Sequence, residues 1–295
     1  MSNAHRSGYI NIIGSPNVGK STLMNALVGE RVSIITSKAQ TTRHRILGFV
    51  NDEDYQMVFS DTPGIIDPAY KLQESMMDFV RSAFEDADIL VYMVELGEKQ
   101  LKDEQFFHKL QQASSPLLLL INKIDIGNQE ALNEAIDHWT VQLPRAEIFP
   151  ISALEGFGVD QVMARIKALL PLGPAYYPKD QLTDKTERFV VSEVIREKIL
   201  LHYDKEIPYA VEIQVESFKE SETIIHIGAV IMVERDTQKG IIIGHQGKGL
   251  KRVGTEARKD LEQFFAKKIH LEMYVKVSKN WRSDENQLRR FGYQG

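Results

Sequence analysis

The chain has 295 residues, enough for two domains and a substantial core. Its 43% hydrophobic and 26% charged residues are ordinary for a globular protein, its longest apolar runs fall far short of a membrane span, and the lack of cysteine excludes disulfides, thiolate metal sites and cysteine nucleophiles. The net charge of −5 conceals an asymmetry: residues 1–187 carry 17 basic and 25 acidic residues, whereas residues 188–295 carry 19 and 16. A cysteine-free chain with no evident signal peptide is expected in the cytoplasm, and Ser2-Asn3-Ala4 reads as a cloning remnant.

In chain order, a short apolar strand, Tyr9 to Ile13, leads into Gly14-Ser15-Pro16-Asn17-Val18-Gly19-Lys20-Ser21, and a helix is expected over Lys20–Val28. Strand, glycine-rich loop and helix are the context of a phosphate-binding P-loop. Gly14 and Gly19 let backbone N–H groups turn inward around a triphosphate at a helix N-terminus. Lys20 supplies positive charge to the β- and γ-phosphates, and Ser21 offers a hydroxyl to Mg²⁺. Ser15, Asn17, Val18 and Thr22 complete the nucleotide-binding stretch. The bland alternative is a glycine-rich turn with a solvated lysine, but the pattern arises by chance only about once in a hundred chains of this length.

The next segment, Ser37 to Arg43, is polar and aperiodic, so it reads as a mobile loop. A threonine here can close on Mg²⁺ with GTP bound and let go after hydrolysis. Thr42 is the first choice and Thr41 the second, against an ordinary surface loop. A strand over Met57–Ser60 then ends in Asp61-Thr62-Pro63-Gly64. Asp61 can hold Mg²⁺ through water, and the Gly64 N–H can sense the γ-phosphate. Lys20, Thr42 and Gly64 are thus the candidate catalytic residues.

The buried-strand pattern Pro116 to Ile121 leads directly into Asn122-Lys123-Ile124-Asp125. A carboxylate there accepts from the ring N–H and amine of guanine, a donor pair that adenine lacks. A further strand, Ile148 to Ile151, leads into Ser152-Ala153, whose backbone can reach the guanine carbonyl. These four motifs, each after a strand, resemble the GTPase domain of the translation-factor-related class. One position departs from the Ras-type arrangement: Ile65 stands where those enzymes carry a water-orienting glutamine, so catalysis comes from elsewhere or intrinsic turnover is slow. In related GTPases an asparagine at the position of Asn17 helps to bind K⁺, which implies K⁺-stimulated hydrolysis.

Strands ending near Ile13, Phe59, Val94, Ile121 and Ile151 alternate with helices over Lys20–Val28, Leu72–Glu85, Asp103–Gln112, Gln129–Trp139 and Val159–Leu169. This alternation predicts an α/β fold, a mostly parallel sheet covered on both faces. Pro171 to Pro178 is proline-rich and marks a boundary, giving a GTPase domain over 1–174, a polar linker over 175–187 and a second domain over 188–295.

The second half reads as a helix over Phe189–His202, strands around Val211–Glu216 and Thr223–Val233, helical segments on either side of Gly244-His245-Gln246-Gly247, and a strand over Leu271–Val277. From Lys239 to Lys259 six Lys or Arg face one acid, Glu256. The order α-β-β-α-α-β with Ile-Ile-Gly-x-x-Gly resembles a type II KH domain, an α+β RNA-binding module whose glycine loop clamps the backbone of about four single-stranded nucleotides. Gly244, His245, Gln246, Gly247, Lys248, Lys251 and Arg252 are the candidate RNA-binding residues. The alternative is a structural turn in a protein-interaction domain.

A GTPase domain with a C-terminal KH domain resembles the Era family of bacterial ribosome-assembly GTPases. Lys38-Ala-Gln-Thr-Thr-Arg-His44 and Ile241-Ile-Ile-Gly-His-Gln-Gly247 add to the match, with His245 a mild departure. The resemblance implies a monomer that uses GTP/GDP and Mg²⁺, binds the 3′ region of small-subunit ribosomal RNA, assists 30S maturation and associates peripherally with the inner membrane. GTP would order the loop around Thr42 and the segment after Gly64, expose the RNA groove, and release it on hydrolysis. A tRNA-modification GTPase, a membrane-transport GTPase and an RNA adaptor with incidental hydrolysis are the alternative readings.

Overall fold

The computed structural model describes residues 5–101 and 103–293, so the cloning remnant expected at Ser2-Asn3-Ala4 lies outside the described residues. The chain divides into two compact units. One runs to Ala69 and from Gln73 to Asp184; the other comprises Tyr70–Leu72 and the chain from Lys185.

The first unit is built on six strands: β1 (Arg6–Gly14), β2 (Ile46–Asn51), β3 (Tyr55–Asp61), β4 (Ile89–Glu95), β5 (Leu117–Asn122) and β6 (Glu147–Pro150). Their spatial order is β2-β3-β1-β4-β5-β6, with every pairing parallel except β2 against β3. The unbroken apolar runs have a direct cause. Leu118 to Ile121 of β5 and Ile89 to Val94 of β4 are covered on both faces and almost fully buried. The connecting helices are α1 (Lys20–Val28), α2 (Lys71–Glu85), α3 (Glu104–Gln112), α4 (Gln129–Gln142) and α5 (Val159–Leu169). Caps set two of their starts: the Asp103 carboxylate accepts from the N–H groups of Gln105 and Phe106, and the Asn128 side chain from Ala131.

Strand β2 escapes the sequence pattern, because Ile46-Leu-Gly-Phe-Val-Asn51 has a glycine at its centre and no clean alternation. Residues 175–184, expected as a polar linker, correct that expectation: they lie along the first unit. Phe49 N–H donates to the Leu182 carbonyl at 2.9 Å, and the Tyr177 ring stacks on Phe49 with centroids 4.3 Å apart. Pro178 interrupts any helix here, and the segment's aromatic rings and carbonyls satisfy the open side of β2.

The second unit has the expected order: α6 (Glu187–His202), β7 (Glu212–Glu220), β8 (Ile224–Val233), α7 (Asp236–Ile243), α8 (Lys248–Phe265) and β9 (Lys268–Val277). The strand order is β7-β8-β9, antiparallel and then parallel. Parallel pairing of β8 with β9 demands a crossover, and α7 and α8 supply it. Val191, Ile195 and Ile199 of α6 and Val253, Ala257 and Leu261 of α8 bury one stripe each against this sheet. A C-terminal segment ending in α9 (Glu285–Arg290) had no clear sequence signal. Trp281, wholly buried, donates to the Ala210 carbonyl at 3.0 Å, and the Tyr293 hydroxyl donates to Glu212 at 2.7 Å. No helix among the described residues is long and apolar enough to cross a membrane.

Each unit holds one tryptophan, Trp139 and Trp281, both buried. In a Trp281→Phe background, Leu120→Ala at the centre of β5 should destabilise the first unit by about 2–5 kcal/mol. Urea unfolding followed by Trp139 fluorescence would measure it, and a midpoint unchanged from the background would contradict the packing described.

Candidate functional site

The chain enters the site from β1, and the first contacts explain its glycines. Gly14 and Gly19 have φ of 152° and 104°, and a Cβ on them would stand 2.2 Å from the Met93 carbonyl oxygen and 2.4 Å from Asn122 Nδ2. Between them the loop folds over Lys20, which opens α1 and is 6% exposed. Its ammonium donates to the carbonyls of Gly14 at 3.1 Å and Ser15 at 2.8 Å. Burial pushes Lys20 down to about 8, against the opposing pull of the Asp61 and Glu98 carboxylates.

Three oxygen-bearing side chains converge beside it. Ser21 donates to Asp61 Oδ2 at 2.7 Å, Thr42 donates to the same oxygen at 3.3 Å, and the two hydroxyls lie 2.9 Å apart. Asp61 is fully buried, and its other oxygen, Oδ1, has no hydrogen-bond partner. Burial raises its pKa, while the Ser21 hydrogen bond and the Lys20 charge oppose the rise. An all-oxygen set with an orphaned carboxylate oxygen suits a hard divalent cation such as Mg²⁺. Of the two candidate threonines, Thr42 joins this group. Thr41 turns into its own loop, donating to Lys38 O and meeting the Thr36 hydroxyl, both at 2.6 Å.

Asn17 takes the left-handed conformation and donates to the Ser37 carbonyl at 3.0 Å, tying the P-loop to the Ser37–Arg43 loop. Gly64 is pressed against Pro16, where a Cβ would come within 2.7 Å of its Cα. Ile65 is buried, and its N–H donates to the Gly14 carbonyl at 3.1 Å, so that residue serves the loop's geometry and not a water. The Thr62 hydroxyl turns back to the Ile12 carbonyl at 2.7 Å.

At the other end, Asn122 acts as a brace. It donates to the Val18 carbonyl at 2.7 Å and accepts from the Ala153 N–H at 2.9 Å. Lys123, in the left-handed region at φ 63°, meets Glu95 at 2.5 Å, and Asp125 stands exposed at the cavity's edge. At the Ser152-Ala153 turn the Ala153 N–H donates to Asn122 and the Ser152 N–H to the Phe157 carbonyl at 3.0 Å. The tight turn after β6 uses its own donors to close.

These parts surround a cavity of about 400 Å³. Asn17, Gly19, Lys20, Ser21, Thr22, Thr42, Thr62, Gly64, Asn122, Lys123, Asp125 and Ser152 line it; Gly14, Ser15, Val18, Asp61 and Ala153 stand behind the lining. Sequence reasoning missed Ile34, Ile35, Ile126 and Leu154 in that wall, because isolated apolar residues in loops carry no periodic signal. It also missed Glu98, whose carboxylate accepts from Ser15 at 2.5 Å.

In the second unit, Gly244 and Gly247 have φ of 70° and 74°, with Gln246 also positive at 52°. This single turn links α7 to α8, and His245, Gln246, Lys248, Lys251 and Arg252 are exposed around it. Arg252 is partly restrained, at 3.4 Å from Glu256, which itself meets His202 at 2.6 Å. The Tyr203 hydroxyl donates to the Ile242 carbonyl at 2.7 Å, just before the turn.

A P-loop nucleotide site with a guanine-type edge in one unit, and a glycine-loop α+β module in the other, define a GTPase carrying a KH domain. Family comparison agrees: residues 9–123 match the 50S ribosome-binding GTPase family and residues 206–282 the KH domain family. The fold is similar over its whole length to a crystal structure of Era in complex with MgGDPNP and nucleotides 1506–1542 of 16S ribosomal RNA, with 36% identity, a TM-score of 0.94, and 99% of this chain and 100% of that one covered. It is likewise similar to a point variant of Aquifex aeolicus Era bound to GDP and aluminium fluoride, with 37% identity, a TM-score of 0.94, and 98% and 100% covered. The chain belongs to the Era family of GTPases.

Lys20→Ala should abolish measurable GTP turnover, and a normal rate would overturn the assignment of the phosphate site. Phosphates beside Lys20 oppose the effect of burial, so the complex holds the ammonium's proton to higher pH than the protein alone. GDP affinity should therefore be full below about pH 8 and decline above it. Calorimetry at pH 8.5 in buffers of different ionisation enthalpy should show proton uptake on GDP binding.

Proposed function

We propose that this protein is a GTP-dependent switch that binds the 3′ region of small-subunit ribosomal RNA and assists maturation of the 30S subunit. The observation that carries the reading is the full-length likeness to an Era structure holding both a GTP analogue and 16S RNA nucleotides, with both motif sites intact in this chain. The Asp125 carboxylate reads the guanine edge, and P-loop N–H groups with Lys20 hold the phosphates. Mg²⁺, held by Ser21, Thr42 and, through water, Asp61, supplies charge neutralisation at the β- and γ-phosphates. The Thr42 hydroxyl then fixes the mobile loop in its closed form, and the Gly64 segment, packed on Pro16, follows the γ-phosphate. Attack by water on the γ-phosphate releases both segments.

Ile65 is buried and offers no water contact, so the stabilising charge comes from elsewhere. Asn17 with the Ser37 carbonyl supports K⁺ in that role. Hydrolysis should run several-fold faster in KCl than in NaCl, and Asn17→Ala should remove the difference; equal rates would remove K⁺ from the reading. In the second unit, Lys248 and Lys251 neutralise phosphates while the glycine turn allows the RNA backbone close approach. Residence in the cytoplasm agrees with this partner, whereas peripheral membrane association rests on the family resemblance alone.

The decisive test is binding of a short single-stranded RNA from the 16S 3′ end. Affinity should be roughly five- to a hundredfold higher with a GTP analogue than with GDP, the usual range of such couplings. Replacing Gly244 and Gly247 by Asp should abolish binding in both states. Equal affinities would leave an RNA-binding GTPase without a switch.

A further inference from the structure

Strand β2 is the outermost strand of the first sheet, so its outer N–H and C=O groups face away from β3. Residues 176–184 supply partners for them. The Thr183 hydroxyl donates to the Leu47 carbonyl at 2.5 Å, the Leu47 N–H donates to the Asp184 carboxylate at 2.9 Å, and the Phe49 N–H donates to the Leu182 carbonyl. Thr183 bridges Gly48 in antiparallel fashion. Further along, the Gln56 side chain accepts from the N–H groups of Tyr176 and Tyr177. The segment is therefore an extra half-strand with aromatic and amide anchors, and not a passive tether.

Its location matters because of register. On the other side of β2, Ile46 pairs with Asp61 and Leu47 with Ser60. Asp61 is the carboxylate that Ser21 and Thr42 share, and Thr42 lies four residues before Ile46. Arg45, in between, is pinned to Ser60 at 2.7 Å and to both oxygens of Asp86 at 2.6 and 2.9 Å. The start of β2 is thus held inside by Arg45 and β3, and outside by Thr183 and Asp184. One residue past Asp184 begins the unit that carries the glycine turn.

We propose that the 176–184 strap is a positioning element for the switch loop: by completing the outer edge of β2 it links the placement of Thr42 against Asp61 to the segment that leads into the KH unit. This rests on the GTPase reading for its kinetic arm and on the nucleotide-gated RNA reading for its binding arm, and the two are separable. When Thr42 closes, the β2 edge and the strap are held in their bonded form. When it releases, the edge loosens and the tension on residue 185 changes.

The test uses the full-length protein with Thr183→Val and Asp184→Ala together, with Asp184→Asn alone as the conservative control, since Asn can still accept from Leu47 N–H. In the double variant, amide hydrogen exchange at Leu47 and Phe49 should accelerate, while the Trp139 unfolding midpoint, read in the Trp281→Phe background, stays close to that of the parent. The GTP kcat should fall roughly fivefold with KM and GDP affinity unchanged, the scale of about one lost hydrogen bond. The ratio of RNA affinities with GTP analogue and GDP should move towards one, and Asp184→Asn should behave as the parent in all three. Faster exchange with unchanged kcat and unchanged ratio would reduce the strap to a tether and overturn the proposal. Unchanged exchange would overturn it too, since the edge would not be held by these bonds. If the parent itself shows a ratio of one, the gating reading fails while kcat and exchange still decide the strap.

Discussion

A buried carboxylate, Asp61, is the constraint on which the first unit depends. A charge without solvent is costly unless it is paired or bonded, and here two hydroxyls and a nearby ammonium are brought to it. Those three groups come from α1 and from the loop before β2. The two strands beside Asp61 in the sheet, β1 and β2, meet it through Ile12 and Ile46. Moving any of these elements by a residue would strand the charge, so the strand register and the nucleotide chemistry are one requirement.

The same economy explains the brace at Asn122. A single amide joins the P-loop carbonyl of Val18 to the Ala153 N–H, and it fills the space that a side chain on Gly19 would need. The phosphate loop and the turn after β6 are therefore fixed relative to one another by one side chain that the solvent scarcely reaches. Asp125, by contrast, stays exposed and free to meet a base. Rigid support behind and an accessible carboxylate in front is the division that selective recognition needs.

Much of this was legible in the residues. The strand–loop–helix context of Gly14 to Ser21 and the apolar run before Asn122 placed both ends of the cavity, because glycine spacing and double-sided burial leave strong local marks. The order α-β-β-α-α-β was readable because β7 and β9 alternate and α8 keeps helical spacing. What escaped had weak local marks. Strand β2 has a central glycine, the 175–184 segment has no periodic pattern, and the docking of Trp281, Leu288 and Tyr293 depends on distant partners.

The clasp behind the glycine turn carries a thermodynamic consequence. Tyr203 anchors the Ile242 carbonyl before the turn, and a Cβ on Gly249 just after it would stand 2.7 Å from the Tyr203 hydroxyl. Both stems of the turn are thus set before any strand arrives, and little conformational entropy is left for the protein to lose on binding. On the proposed reading, the ordering cost falls on the RNA. Segments that are already unpaired and unstacked would then be favoured over those that must first be melted, and selectivity among RNAs of similar sequence would follow their secondary structure.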